Sequence, residues 1–137
     1  MAPIRIVVGI DGSRASERAL TMAIRLAGRE RGHVHACHVG HLVVPVAFGS
    51  FVVPVEDDLD ATVERLDHVV GEALGQAEVC GDFSWRRGEV APELERAAAD
   101  HEAELLVVGR SAHPHFHVGN VPSRLIAMGR RSVLVVP

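Results

Sequence analysis

Three histidines at alternate positions are the residues of this sequence with the clearest potential for chemistry. His113, His115 and His117 lie in the stretch "VVGRSAHPHFHVGNVPSRL", residues 107–125. In an extended segment the three imidazoles would point to one side and could bind Zn²⁺ or another transition metal. However, Pro114 and Phe116 impose their own backbone geometry, and no carboxylate or cysteine is close in sequence. We therefore predict no metal site and keep a metal-binding module on this loop as an alternative.

The same stretch also has the layout of an anion site. Four apolar residues, 105–108, lead into Gly109, and Gly119 and Asn120 precede a segment with helical character. Backbone amides at a helix N-terminus bind phosphate readily. Protonation of the loop histidines in acid would strengthen the attraction for phosphate. A phosphate-bearing ligand is therefore the second chemistry that this stretch allows.

Four more histidines occur in "HVHACHVGH", residues 33–41. If this segment is a strand, His33 and His35 share one face and His38 lies on the other. We expect a half-buried strand with polar ends for all four, His41 included. A position for His38 along a ligand cleft is the alternative.

Signs of an enzyme are weak. Ser13 in "DGSRAS" and Ser111 in "GRSAH" do not lie in a GxSxG nucleophile elbow, although His113 follows Ser111 by two residues. All 14 basic residues are arginines, which excludes a lysine Schiff base and a P-loop lysine. We therefore expect no catalytic residues.

The composition describes one soluble domain over residues 1–137, with 47% hydrophobic residues and 23% charged residues. A formal net charge of -4 gives no reason to expect a nucleic-acid or membrane partner. The N-terminal apolar run is too short for a signal peptide, and prolines and a glycine interrupt the apolar stretch 42–55. Cys37 and Cys80 show no CxxC spacing. We expect a cytoplasmic protein with two reduced thiols.

Strands and helices that alternate along the chain must position these residues. The hydrophobic patterns predict strands at 4–8, 33–39, 82–87, 104–109 and 132–136. They predict helices at 14–31, 56–79, from Pro92 to 102, and 121–129, with a long apolar loop at 40–55. Ser13 or Asp11 can cap the first helix and Gly32 can end it. This alternation predicts a parallel sheet with helices on both faces.

Four segments in this order resemble the universal stress protein family. They are "IRIVVGIDGSRASERALTMAIRLA", "HVHACHV", "RRGEVAPELERAAADHEAELLVVGRS" and "GNVPSRLIAMGRRSVLVVP". The resemblance implies an α/β fold that is Rossmann-like and similar to adenine nucleotide alpha hydrolases, with a five-stranded parallel sheet in the order 3-2-1-4-5. It also implies a homodimer that pairs through the last strand, formed by Val133, Leu134, Val135 and Val136.

The family resemblance also implies a nucleotide cleft. Ile10, Asp11 and Val39 match the positions that hold adenosine in ATP-binding members. The phosphate loop of those members has the pattern G-x2-G-x9-G-[S/T], which corresponds here to Gly109, Ala112, Gly119 and Asn120, with Arg110 and Val121 beside them. Asp11 suits either a ribose contact or a cap on the first helix.

The phosphate loop departs from this pattern. Ala112 replaces a glycine and Asn120 replaces a serine or threonine, and the loop is three residues shorter. A Cβ at position 112 crowds a phosphate that approaches the backbone, and Pro122 removes an amide donor from the helix start. We therefore expect ATP to bind poorly in the family's usual manner.

The predicted function is a stress-response protein that acts by binding and interaction as a cytoplasmic dimer. The first alternative is a sensor of ATP, AMP or a cyclic nucleotide in the cleft. The second is the metal-binding module on residues 113–117. The role of the loop at 40–55 stays open between a cover for the cleft, a part of the dimer contact and simple packing.

Overall fold

The computed structural model describes residues 2–40, 59–110 and 121–137. The strands are β1 (Arg5–Gly9), β2 (His33–Gly40), β3 (Cys80–Arg87), β4 (Leu105–Gly109) and β5 (Ser132–Val136). The helices are α1 (Arg14–Arg29), α2 (Leu59–Ala77), α3 (Val90–Asp100) and α4 (Val121–Met128). The five strands form one parallel sheet in the order β3-β2-β1-β4-β5. The predicted architecture and strand order are therefore confirmed.

Two elements begin earlier than the sequence predicted. β3 begins at Cys80 because Cys80 and Gly81 pair with His33 and Val34 of β2. α3 begins at Val90 rather than at Pro92. A proline fits the first turn of a helix, because the amides there have no intrahelical acceptor.

The sheet is covered on both faces, and each face has its own hydrophobic core. Alternate residues of β1 point to opposite sides: Ile6 and Val8 pack under α1 and α2, whereas Val7 packs under α3 and α4. All three are 0–1% exposed. The short apolar runs in the sequence have this origin, because a strand covered on both faces has no solvent side.

The two ends of α1 show how the sequence sets a helix. Ser13 is the N-cap, and its Oγ accepts a hydrogen bond from the Ser16 amide at 3.1 Å. At the other end, Arg31 adopts a left-handed conformation with φ 51°, and the Gly32 amide donates to the Ala27 carbonyl at 2.7 Å. The sequence correctly predicted Gly32 as part of the helix end, but Arg31 holds the left-handed position. Gly32 is required for another reason, since a Cβ there would collide with the backbone of Ile4.

The two edges of the sheet differ in character. On β3, Cys80, Asp82 and Trp85 are exposed. On β5, residues 133–135 are two valines and a leucine, half-buried against the helices. In the described ranges, no helix is long and apolar enough to cross a membrane.

Candidate functional site

The carboxyl ends of β1, β2 and β4 meet at one edge of the sheet. The Ile10 amide, just beyond β1, donates to the Cys37 carbonyl of β2 at 3.0 Å. The Arg110 amide, just beyond β4, donates to the Val136 carbonyl of β5 at 2.7 Å. In the sheet, β1 lies between β2, which is the next strand along the chain, and β4. This is the point where ligands bind in open parallel sheets.

Asp11 is held firmly at the end of β1. Its Oδ1 accepts a hydrogen bond from the Ser13 amide at 2.9 Å, and its own amide donates to Ser16 Oγ at 3.2 Å. Burial works to raise the pKa of the Asp11 carboxyl, but hydrogen bonds from Ser13 and Ser16 outweigh it and hold that pKa below its usual value. Asp11 therefore presents a carboxylate. Of the two predicted caps for α1, Ser13 is the one that caps the helix, and Asp11 orders the turn before it.

His38 lies directly behind this turn. It is 1% exposed, and its Nδ1 is 2.8 Å from the Ile10 carbonyl oxygen. Because a carbonyl oxygen only accepts, Nδ1 carries the proton and donates. The prediction of a half-buried strand is therefore wrong for β2, in which His38 and also His35, which is 2% exposed, are buried. His33 is of intermediate exposure, and His41 lies outside the described residues.

Gly109 has a packing role that the motif did not reveal. A Cβ on Gly109 would lie 2.6 Å from the Ala15 carbonyl oxygen and 2.8 Å from the Ser16 amide nitrogen. The first turn of α1 therefore packs directly on the end of β4. This position requires glycine whether or not a phosphate binds nearby.

Three of the other predicted site residues lie in the part of the chain that the structure describes. Val39 is buried at the end of β2, Arg110 is exposed just after β4, and Val121 is half-buried at the start of α4. The remaining predicted positions, which are Ala112, Gly119 and Asn120 of the phosphate loop and His113, His115 and His117, lie outside the described residues. The part of the chain that the structure describes holds no group of three potential metal ligands.

A small pocket opens beside the cleft, between α1 and α2. Its volume is about 80 Å³, well below the roughly 300 Å³ at which ligand pockets begin. Gly12, with φ 85°, lies on its rim. Its lining includes Ile10, Ser16, Leu20 and Arg65. The described residues thus form one wall of the cleft rather than an enclosed pocket.

A second polar cluster, on the α3 side of the sheet, was not found from the sequence. His35 of β2 contacts Asp82 and Ser84 of β3, and its ring stacks on that of His101. The sequence signal for this cluster was the alternation of polar residues in "HVH", residues 33–35, and "DFS", residues 82–84. In each stretch the alternation places the two polar side chains on one face of the strand. The strand register that joins the two pairs is visible only in the structure.

Comparisons with known proteins agree on one family. Residues 4–137 match the model of the universal stress protein family. A solved structure of a protein from this family in Burkholderia pseudomallei is 26% identical, has a TM-score of 0.77, and aligns over 98% of this chain and 96% of the other. Universal stress protein UspA from Lactobacillus plantarum is 21% identical, with a TM-score of 0.76, over 100% and 99% of the two chains. A universal stress protein in complex with cAMP is 22% identical, with a TM-score of 0.76, over 98% and 97%. Comparison with curated proteins gave no match.

Proposed function

This chain belongs to the universal stress protein family, whose model matches residues 4–137, and we propose that it acts by binding rather than by turnover. In this proposal it is a single cytoplasmic domain with a stress-linked role. The cleft at the ends of β1, β2 and β4 binds the ligand, and the edge of β5 binds a second copy of the chain.

The proposed ligand is an adenine nucleotide with one phosphate, such as AMP or cyclic AMP. The observation that carries this proposal is the Asp11 carboxylate, fixed by Ser13 at the end of β1. A carboxylate held there can accept hydrogen bonds from ribose hydroxyls, two in AMP and the single free hydroxyl in cyclic AMP. Ile10, which precedes Asp11, and Val39 at the end of β2 are the apolar residues that we assign to this cleft, each 6% exposed. A structural neighbour that was solved in complex with cAMP supports this choice.

The phosphate side of the cleft favours a short ligand over ATP. Ala112 and Asn120 replace residues of the ATP-binding pattern, and three residues are missing between Gly109 and Gly119. Gly109 itself faces the backbone of α1 at Ala15. Arg110, exposed just after β4, is the guanidinium that we assign to a single phosphate.

Calorimetric titration of the full chain with AMP, cyclic AMP and ATP tests this proposal. We expect AMP or cyclic AMP to bind more tightly than ATP, with or without Mg²⁺. Asp11→Asn keeps an oxygen for the Ser13 amide but removes the charge, and it should weaken AMP binding by about 10-fold, the equivalent of roughly one to two hydrogen bonds. Glu104→Gln, at the opposite end of the sheet, should change nothing. The absence of binding by all three nucleotides would refute the cleft as a nucleotide site.

The proposed dimer uses β5, the outermost strand on one side of the described sheet. An apolar edge strand that is left open promotes aggregation, and pairing with a second copy would cover it. Val133→Lys places a charge on this edge and should convert the dimer to a monomer in light-scattering measurements. Val69→Lys, on α2, is the matched control and should stay dimeric. A wild-type chain that is monomeric at high concentration would contradict the proposed dimer.

A further inference from the structure

His35 links two side chains of the neighbouring strand through its two ring nitrogens. Nδ1 contacts Oδ1 of Asp82, and Nε2 is 2.8 Å from Oγ of Ser84. His35 pairs with Asp82 in the register of the parallel strands, and Ser84 lies two residues further along the same face. The alternation of side chains along the two strands therefore places all three on one face of the sheet, and no loop is needed to bring them together.

The partners of His35 determine its tautomer. An ionised carboxylate can only accept, so Nδ1 carries the proton and donates to Asp82. Nε2 then has a free lone pair and accepts the hydroxyl proton of Ser84. This is the order of bonds in a Ser-His-Asp triad: the acid orients the imidazole, and the imidazole is the base for the serine.

The imidazole is held in a fixed position. The His35 side chain is 3% exposed, and the ring of His101 stacks on it at 3.5 Å between centroids with an angle of 22°. Ser84 is less buried than His35 and belongs to β3, the edge strand of the sheet. The base is therefore enclosed, whereas Ser84 is of intermediate exposure.

From this geometry we propose that Ser84 is a nucleophile, activated by His35 and oriented through Asp82, that reacts with small activated acyl esters. This activity adds turnover at a second site to the binding role proposed for the cleft, and it uses none of the cleft residues. The substrate class follows from the site, because an oxygen nucleophile with an adjacent base attacks a carbonyl carbon, and the partial burial of Ser84 favours a small acyl group. His35 is the general base, and Asp82 is a positioning residue.

The reaction has two balanced steps. Oγ of Ser84 bonds to the ester carbonyl carbon, and its proton passes to Nε2 of His35. The bond from that carbon to the alcohol oxygen then breaks, and the leaving alcohol takes the proton from Nε2. Water attacks the acyl-serine by the same route and gives back Ser84 and a free acid. One ester and one water are consumed, and one acid and one alcohol are released.

The neighbouring thiol does not compete with Ser84. Cys37 faces Ser84 across the strand pair. Burial raises the pKa of the Cys37 thiol to about 11, so it stays protonated at neutral pH and is a poor nucleophile.

Acetylation by p-nitrophenyl acetate tests the proposal on the full chain. Peptide mapping by mass spectrometry should find the acetyl group on Ser84, well ahead of the exposed Ser132 on the opposite edge strand. Ser84→Ala should abolish this label, and His35→Gln should slow it by about 100-fold, the low end of what a general base contributes. Ser132→Ala is the matched control and should react as wild type does.

Substitutions of Asp82 distinguish a role in activating Ser84 from a role in packing alone. Asp82 is 54% exposed, so Asp82→Asn should fold normally, as circular dichroism and thermal melting can check. It should slow acetylation of Ser84 by about 10-fold or more, and Asp82→Glu should restore part of the rate. The proposal is overturned if Ser84 reacts no faster than Ser132, if Asp82→Asn leaves the rate unchanged, or if the label is found on Cys80 alone.

Discussion

Replacing Gly109 by alanine tests whether this glycine serves packing. The added Cβ would lie 2.5 Å from the Ala15 carbonyl carbon and 2.6 Å from its oxygen. An ordinary contact for a methyl carbon is about 3.5 Å or more. Each obstacle is helix backbone, so α1 must shift by nearly 1 Å relative to β4. Overpacking of this kind costs about 1–3 kcal/mol. For a chain of this size we expect a decrease in Tm of roughly 4–12 °C.

Urea unfolding of the ligand-free chain measures this loss directly, and Gly71→Ala is its matched control. Gly71 lies within α2, and a Cβ there would meet nothing within 4 Å. The control should gain roughly 0.5–1 kcal/mol, because alanine favours a helix over glycine. The two substitutions should therefore have opposite signs with similar m-values. If Gly109→Ala unfolds within about 0.5 kcal/mol of wild type, α1 does not pack on β4 as described, and the glycine must be explained by a ligand.

Three further predictions concern buried groups. Burial, only partly opposed by Asp82, holds the pKa of His35 below its usual 6.5, so the unfolded chain takes up a proton at a higher pH than the folded chain does. The free energy of unfolding should therefore decrease as pH falls below about 6.5. Urea titrations should show that His35→Gln flattens this decrease. Because its pKa is raised to about 11, the buried Cys37 should resist iodoacetamide at pH 8 while the exposed Cys80 reacts; a chain carrying two labels before unfolding would contradict this. Arg131 donates to Glu95, a carboxylate that is 4% exposed, at 2.9 Å, so Arg131→Ala should cost about 3–5 kcal/mol, and adding Glu95→Gln should recover part of that loss.

Much of the fold could be predicted because local patterns determine it. The predicted fifth strand, 132–136, agrees with β5 at both ends, since an apolar run between an arginine pair and the final proline has clear boundaries. The start of β3 was missed by two residues because Cys80 and Gly81 carry no strand signal of their own. Pairing with β2 extends the strand there, and no local pattern contains that information.

The candidate site was predicted less completely, for a similar reason. Asp11 and Ile10 follow a buried strand directly, so their position at the sheet edge follows from sequence order alone. The role of Gly109 depends on contact with α1, about 95 residues earlier in the chain. The relay from Ser84 to His35 depends on the register of two strands separated by a helix. Side-chain partners of this kind arise from tertiary packing and cannot be derived from spacing along the chain.

The contrast between the two edges of the sheet has a consequence for assembly. β3 exposes Asp82, Cys80 and Trp85 and ends in two arginines, whereas residues 133–135 of β5 are valine and leucine. If copies join through β5, each chain has one strand available for pairing. A dimer with a twofold axis pairs the β5 strands of its two copies with each other. A sheet with two such edges would add copies without limit and grow into a filament. The charged residues of the β3 edge disfavour such growth, so the proposed pairing through β5 would stop at two copies.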